Sequence, residues 1–202
     1  NVPARNADPS MFDEAGCVRA ARRISDEIFY AYEDVSDYIS DTEFEHKIIE
    51  LDMPIRRVTI EEKDRALSAI RDFFANHKGA ITFKDNAAMH VHAGTVTRYE
   101  VQQTIETDPI EMHVLRLGDV AFATNPYELF LNYGNQIRAR SKAKQTFLIQ
   151  LCDGALGYLP TKKAQEGSHY SAYVSSGQTG YDGGDLLVER TLSELGELFL
   201  GN

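Results

Sequence analysis

Three kinds of side chain in this 202-residue sequence are spaced so that they could do chemistry. His90 and His92 flank Val91. On an extended strand, residues i and i+2 share a face, so both imidazoles could reach one ion, although no third ligand is specified. Glu128 stands three places after Asn125 at the end of an apolar run. It could project as a hard oxygen ligand or acid/base group. Alternatively, it is the N3 residue of a helix capped by Asn125, its carboxylate turned back onto a backbone N–H. Tyr158 is held between Gly157 and Leu159-Pro160, a restricted backbone that fixes where the ring points. It is either a phenol aimed into a cleft or an aromatic plug with a satisfied hydroxyl.

Other chemistries are excluded by what is missing around their signature residues. Gly177, Gly180, Gly183 and Gly184 precede a helix in the manner of a phosphate loop, but no Lys-Ser/Thr pair follows, and Asp182 and Asp185 would repel phosphate. There is no Gly-x-Ser-x-Gly elbow. Cys17 and Cys152 have neither a flanking His nor a CxxC partner; a disulfide between them is possible, buried free thiols being the commoner outcome. The acidic stretch from Glu33 to Glu43 lacks the glycine and terminal glutamate of a calcium loop and reads as a solvated connection.

These residues need a scaffold, and the pattern of the chain indicates an α/β one. With 43% hydrophobic residues, a chain of this length can bury a core and suggests a single domain. A net charge of −10 argues against a nucleic-acid surface. No apolar run approaches a transmembrane length, and no leader-like segment precedes the first helix. Residues 1–9 read as disordered, and a start at Asn rather than Met suggests a piece of a longer protein.

In order, Ser10 to Asp13 suggests a capping box, and Cys17, Ala21, Ile24, Ile28, Ala31 and Val35 form a stripe that predicts a helix packed on a core. Ile49, Leu51, Met53 and Ile55 alternate with polar residues, and Pro54 puts this strand at a sheet edge or bulge. Thr59 with Glu62 opens a second helix, which stops at Lys78-Gly79. Ile81 and Phe83 suggest a short strand and Thr97 to Glu100 a short helix. A strand from Ile110 turns at Gly118-Asp119 into Val120 to Ala123, whose apolar run suits a strand covered on both faces. A helix then starts at Pro126, with Arg138, Arg140, Lys142 and Lys144 towards its C-terminal end. Thr146 to Leu151 reads as a strand, Thr161 as the cap of one helical turn, and 177–184 as a loop. A last helix turns Leu187, Thr191, Leu195 and Leu198 inward. The alternation predicts a mixed sheet with helices packed on it. Ligands gather outside the carboxyl ends of strands in such sheets, which points to the junctions between Leu117 and Tyr170.

The run from Leu117 to Phe199 resembles the C-terminal half of the catalytic domain of the neutral/alkaline (non-lysosomal) ceramidases. The resemblance is carried by Leu117-Gly118-Asp119 and by Asn125-Pro126-Tyr127-Glu128-Leu129-Phe130, where the family has a Pro-Gly-Glu-Phe type of motif. Gly157-Tyr158-Leu159-Pro160-Thr161, the later Tyr170, Ser171-Ala172 and the closing helix from Gly183 complete it. It implies that residues 1–202 are the C-terminal portion of a zinc amidase domain that hydrolyses the N-acyl bond of a ceramide-like lipid. Glu128 and Tyr158 would be two zinc ligands, and Tyr170 would donate a hydrogen bond near the scissile carbonyl. The family's two histidine ligands and serine would lie in an upstream half of the parent chain, leaving this piece inactive alone. The substrate would be an amphipathic lipid or amide, and the location secreted or periplasmic. Tyr127 replaces the family's glycine, which could narrow the pocket, and residues 36–109 match no family motif. The alternative is a non-catalytic α/β binding or interaction domain in which Glu128 caps its helix.

Overall fold

The computed structural model describes residues 13–167 and 170–200; the expectations for residues 1–9 and for Ser10 fall outside them. The chain forms two compact units, Asn1–Thr42 and Glu43–Asn202. In the first, helix α1 (Glu14–Glu33) is capped by Asp13, whose carboxylate accepts the Gly16 N–H at 2.7 Å. Asp13 is therefore the N-cap itself. The stripe expected to face a core is exposed, with Ile24 at 63% and Ile28 at 65%. Helical spacing fixes which residues share a face, not what covers it.

The second unit contains strands β1 (Phe44–Pro54), β2 (Thr107–Leu117), β3 (Val120–Thr124), β4 (Glu128–Leu129), β5 (Gln145–Ile149) and β6 (Tyr158–Leu159). A four-stranded mixed sheet runs β1-β2-β3-β5, antiparallel except for the parallel β3–β5 pair. The remaining two, β4 and β6, form a separate parallel ladder. As the proline predicted, β1 is an edge strand, and it turns Ile49, Leu51 and Met53 into the core. They meet Met112, Val114, Ala121 and Ala123 of the sheet, and Leu187, Val188 and Leu195 of helix α6 (Tyr181–Leu198). Helix α4 (Leu131–Arg140) adds Tyr133 and Ile137 to the same core. The α/β class, with helices packed on a mixed sheet, is as the sequence indicates.

The other face of the sheet differs from expectation. It presents Phe44 at 64% exposure, Ile48 at 59% and Phe147 at 43%, and Phe122 stacks on Phe147 at 5.2 Å. Among the described residues, β3 is thus covered on one face. Its apolar run comes from small alanines alternating inward with Val120 and Phe122 outward, so a continuous run does not require two packed faces.

Between β1 and β2 lie helices α2 (Ile60–Asn76) and α3 (Phe83–Val101). Each starts with a complete capping box, Thr59 with Glu62 and Thr82 with Asp85. No short strand forms at Ile81 and Phe83, since Phe83 opens α3, which also carries His90 and His92 and already runs through Thr97, where a short helix was expected to start. On a helix, positions i and i+2 diverge instead of sharing a face, so the two histidines do not form a metal pair. The missed signal was the Thr82/Asp85 box. Past the end of α3, buried Gln102 brackets Val58, accepting its N–H at 2.7 Å and donating to its carbonyl at 2.9 Å. Cys17 and Cys152 are free thiols, the first exposed. No described helix is long and apolar enough to cross a membrane.

Candidate functional site

The stretch from Asn125 to Glu128 folds otherwise than its residue types suggest. The Asn125 side-chain oxygen accepts the Tyr127 N–H at 3.1 Å, an Asx turn, while the Asn125 N–H donates to Ile149 O at 3.0 Å. The Glu128 N–H then donates to Gly157 O at 2.9 Å, and the Leu129 N–H to the Gln150 side chain at 2.6 Å. Helix α4 begins only at Leu131, with Phe130 as an N-cap that makes no side-chain bond. Glu128 is therefore not the N3 residue of a capped helix; it is a strand residue. Its backbone donor is used by the neighbouring strand, which leaves the carboxylate free to face Tyr158.

Glu128 and Tyr158 are direct partners in the β4–β6 ladder. Paired residues in a parallel ladder put their side chains on the same face about 4.8 Å apart. The two side chains interact: the bond to the Glu128 carboxylate, and then that to Tyr170, pushes the Tyr158 phenol up to about 12. Tyr170, on the turn Tyr170–Ala172, meets Tyr158 edge-on with ring centroids 5.7 Å apart at 70°. The three residues singled out by the sequence thus lie together.

Several bonds fix this arrangement. Gly157 has φ +76, and a Cβ there would lie 2.3 Å from Ser176 O, so only glycine lets the strand before Tyr158 approach the turn Val174–Ser176. Buried Tyr133 donates to Pro160 O at 2.9 Å, holding the strand after Tyr158. Tyr127 is fully buried and its hydroxyl pairs with Thr179 at 2.9 Å, so it anchors the 177–180 loop and does not narrow the cleft. Burial pushes its phenol up to about 12.

A cavity of about 730 Å³ opens beside Tyr158 and Tyr170 and is lined as well by Phe83, His90, Val91 and Tyr173, while Glu128 is not among its lining residues. Helix α3 reaches it by close packing: a Cβ on Gly94 would lie 2.6 Å from Ser175 Cβ. His90 is one turn before Gly94 on the same face. It lines the same cavity as the tyrosines, a placement the sequence did not reveal because residues 80–109 show no clear helical periodicity. His92 lines a different cavity, of about 300 Å³. The largest cavity described, about 940 Å³ beside Tyr133 and Lys162, includes none of Glu128, Tyr158 and Tyr170.

Among the described residues, no group of three or more His, Cys, Asp and Glu side chains is placed to hold a metal ion. A carboxylate beside a phenol is a donor pair that zinc accepts, and it would fill two positions of a tetrahedral site. The fit is that of half a centre.

No family model matches the sequence, and no curated protein matches it. Solved structures with similarity include a ceramidase complexed with C2, at 12% identity and a TM-score of 0.40, over 45% of this chain and 15% of that one. A second is a neutral ceramidase from Pseudomonas aeruginosa, at 13% identity and a TM-score of 0.43, over 83% of this chain and 30% of that one. Thus the chain spans well under half the length of either.

Proposed function

We propose that this chain supplies Glu128 and Tyr158 as two ligands of a zinc-dependent amide-hydrolysing centre of the neutral ceramidase type, with Tyr170 as a hydrogen-bond donor to the reacting carbonyl. One observation carries the reading: Glu128 and Tyr158 are paired in a two-residue parallel ladder, which puts both side chains on one face, and Glu128 lies in that strand instead of at the third position of a helix. The resemblance of Asn125 to Phe130 and Gly157 to Thr161 to the family motifs supports the identity of the ion and the reaction class.

When bound, zinc would polarise the scissile carbonyl and acidify a bound water. The chain's own residues have simpler tasks. Glu128 brings a negative charge and holds the Tyr158 hydroxyl in place, so the second donor needs no reorientation. Tyr170, 71% exposed and edge-on to Tyr158, can turn its O–H towards an oxyanion forming beside the pair. Phe83, Val91 and Tyr173 give the cleft beside Tyr158 an apolar lining suited to an acyl chain. The remaining ligands and the serine would come from an upstream half of the parent chain, the substrate would be an amphipathic N-acyl lipid or related amide, and the protein would be secreted or periplasmic.

The test is a zinc titration of the 202-residue chain by calorimetry, with phenolate absorbance followed in parallel. Binding should be far weaker than at a four-ligand structural site, where it is worth roughly 10–16 kcal/mol. It should release the Tyr158 proton and disappear in Glu128→Ala and in Tyr158→Phe. Zinc binding that survives both substitutions, or that leaves the phenol spectrum unchanged, would sink the proposal. Tight binding abolished by His90→Ala would show a self-contained site instead.

A further inference from the structure

Helix α3 stands between two cavities. Val91 and Tyr173 line both the one beside Tyr158 and the 300 Å³ one, whose walls also carry Arg56, Arg65, His92 and a single acid, Glu62. Arg56 lies two residues past the end of β1 and is half-buried. Its Nη1 donates to Ala172 O at 2.6 Å, and no described carboxylate forms an ion pair with it. Burial pushes its guanidinium below the usual range, the charge of Glu62 opposes that, and Arg98 adds to it. An arginine keeps its proton even so. A fixed positive charge with N–H donors beyond its one bond therefore faces a cavity whose single acid, Glu62, makes no ion pair with it, so an anion entering there would find an available guanidinium.

The neighbours reinforce this field. Arg65 spends its Nε on Glu61 O at 3.2 Å, which leaves the end of its guanidinium available at the rim. Glu62 is committed to its capping box, where its carboxylate accepts the Thr59 N–H at 2.8 Å. Two guanidiniums thus outweigh one carboxylate, in a chain whose overall charge is −10. A planar guanidinium fork matches the two oxygens of a carboxylate or phosphate group.

We infer that the cavity formed by Arg56, Arg65 and His92 is a seat for a small oxyanion, a carboxylate or a phosphate group. The site goes beyond the hydrolase reading and does not rest on it. Because Val91 and Tyr173 are common walls, a molecule carrying both an anionic group and an amide could touch both cavities.

The experiment titrates the 202-residue chain with inorganic phosphate and, separately, with N-acetylglycine, following heat and the Arg and Tyr nuclear magnetic resonance signals. At least one probe should saturate. Arg56→Gln should weaken it by about tenfold or more and Arg56→Lys by less, since lysine keeps the charge but not the fork. The contribution of exposed Arg65, read from Arg65→Gln, should fade at high salt. Saturation by phosphate alone identifies a phosphate seat; N-acetylglycine binding that moves the Tyr173 signals identifies a carboxylate-bearing amide. If Arg56→Gln does not fold for want of its Ala172 bond, the double variant Arg65→Gln/His92→Gln is read instead and should still lose several-fold. Failure of both probes to saturate overturns the inference. So does unchanged affinity in Arg56→Gln, or in the double variant where that one must be used. Zinc binding is measured on the same variants and should be unchanged in Arg65→Gln, so failure here is distinguishable from failure at Glu128 and Tyr158.

Discussion

At the scale of single residues, the phenols set the response to alkali. Tyr158 and Tyr127 are both pushed up to about 12, the first by its bond to Glu128 and the second by burial. A group raised in the folded state stabilises that state in its protonated form. The effect is complete below the unfolded value near 10 and is lost as pH rises through the folded value. Stability should therefore hold up to pH 10 and fall steeply between 10 and 12, read by thermal unfolding at stepped pH. Tyr127→Phe should soften that fall and cost about 1–2 kcal/mol at neutral pH, since Thr179 loses its partner. A transition insensitive to pH across that window would contradict the assignment. Among single residues, Glu128 and Tyr158 were brought forward by the family resemblance, since their residue pattern alone reads equally as a helix cap and an aromatic plug. The role of Tyr127 was not legible, since a buried tyrosine and a cleft-lining one look alike in sequence.

Secondary-structure elements were legible where caps and periodicity agreed. Thr59 with Glu62 opened α2 as expected, and the alternation from Ile49 to Met53 gave the edge strand and its inward face. They failed where one short motif could be read two ways. Asn125-Pro126 looks like a helix start, but the Asx turn and the β4–β6 ladder take the same donors and win. Helix α3 carries little amphipathic signal, having Gly94 and a run of alanines where contacts are made by close backbone approach. Two substitutions test the joints between elements. Gly157→Ala must adopt positive φ and meet Ser176 O, which should cost ~2 kcal/mol or more and displace Tyr158. Gln102→Ala leaves both polar groups of Val58 without their buried partner, a loss of about 2–4 kcal/mol by denaturant unfolding. A change below half a kilocalorie in either would show the joint to be more pliable than its geometry.

For the whole molecule, the sequence pattern gave the α/β class and the pairing of sheet with closing helix, because both rest on burial periodicity. It did not give the uncovered sheet face, since half-exposed aromatics such as Phe122 and Phe147 have the same residue types as buried ones. An apolar face of this kind should bind an environment-sensitive dye without unfolding the chain. The double variant Ile48→Lys/Phe147→Lys should lower that signal severalfold and leave the unfolding temperature within a few degrees, because both residues lie outside the core. Equal dye binding in the variant would place the apolar surface elsewhere.

The ladder that couples Glu128 to Tyr158 has only two rungs, and neither belongs to the main sheet. Successive strand residues point to opposite sides, so a one-residue slip would turn the ring away and lift Leu159, a fully buried core residue, out of its seat. The presentation of the Tyr158 ring and the packing of the core are thus coupled at this spot. One residue inserted between Gly157 and Tyr158 would therefore cost core packing together with the pairing of Tyr158 and Glu128, so any loss of ring presentation there should come with a lower unfolding temperature.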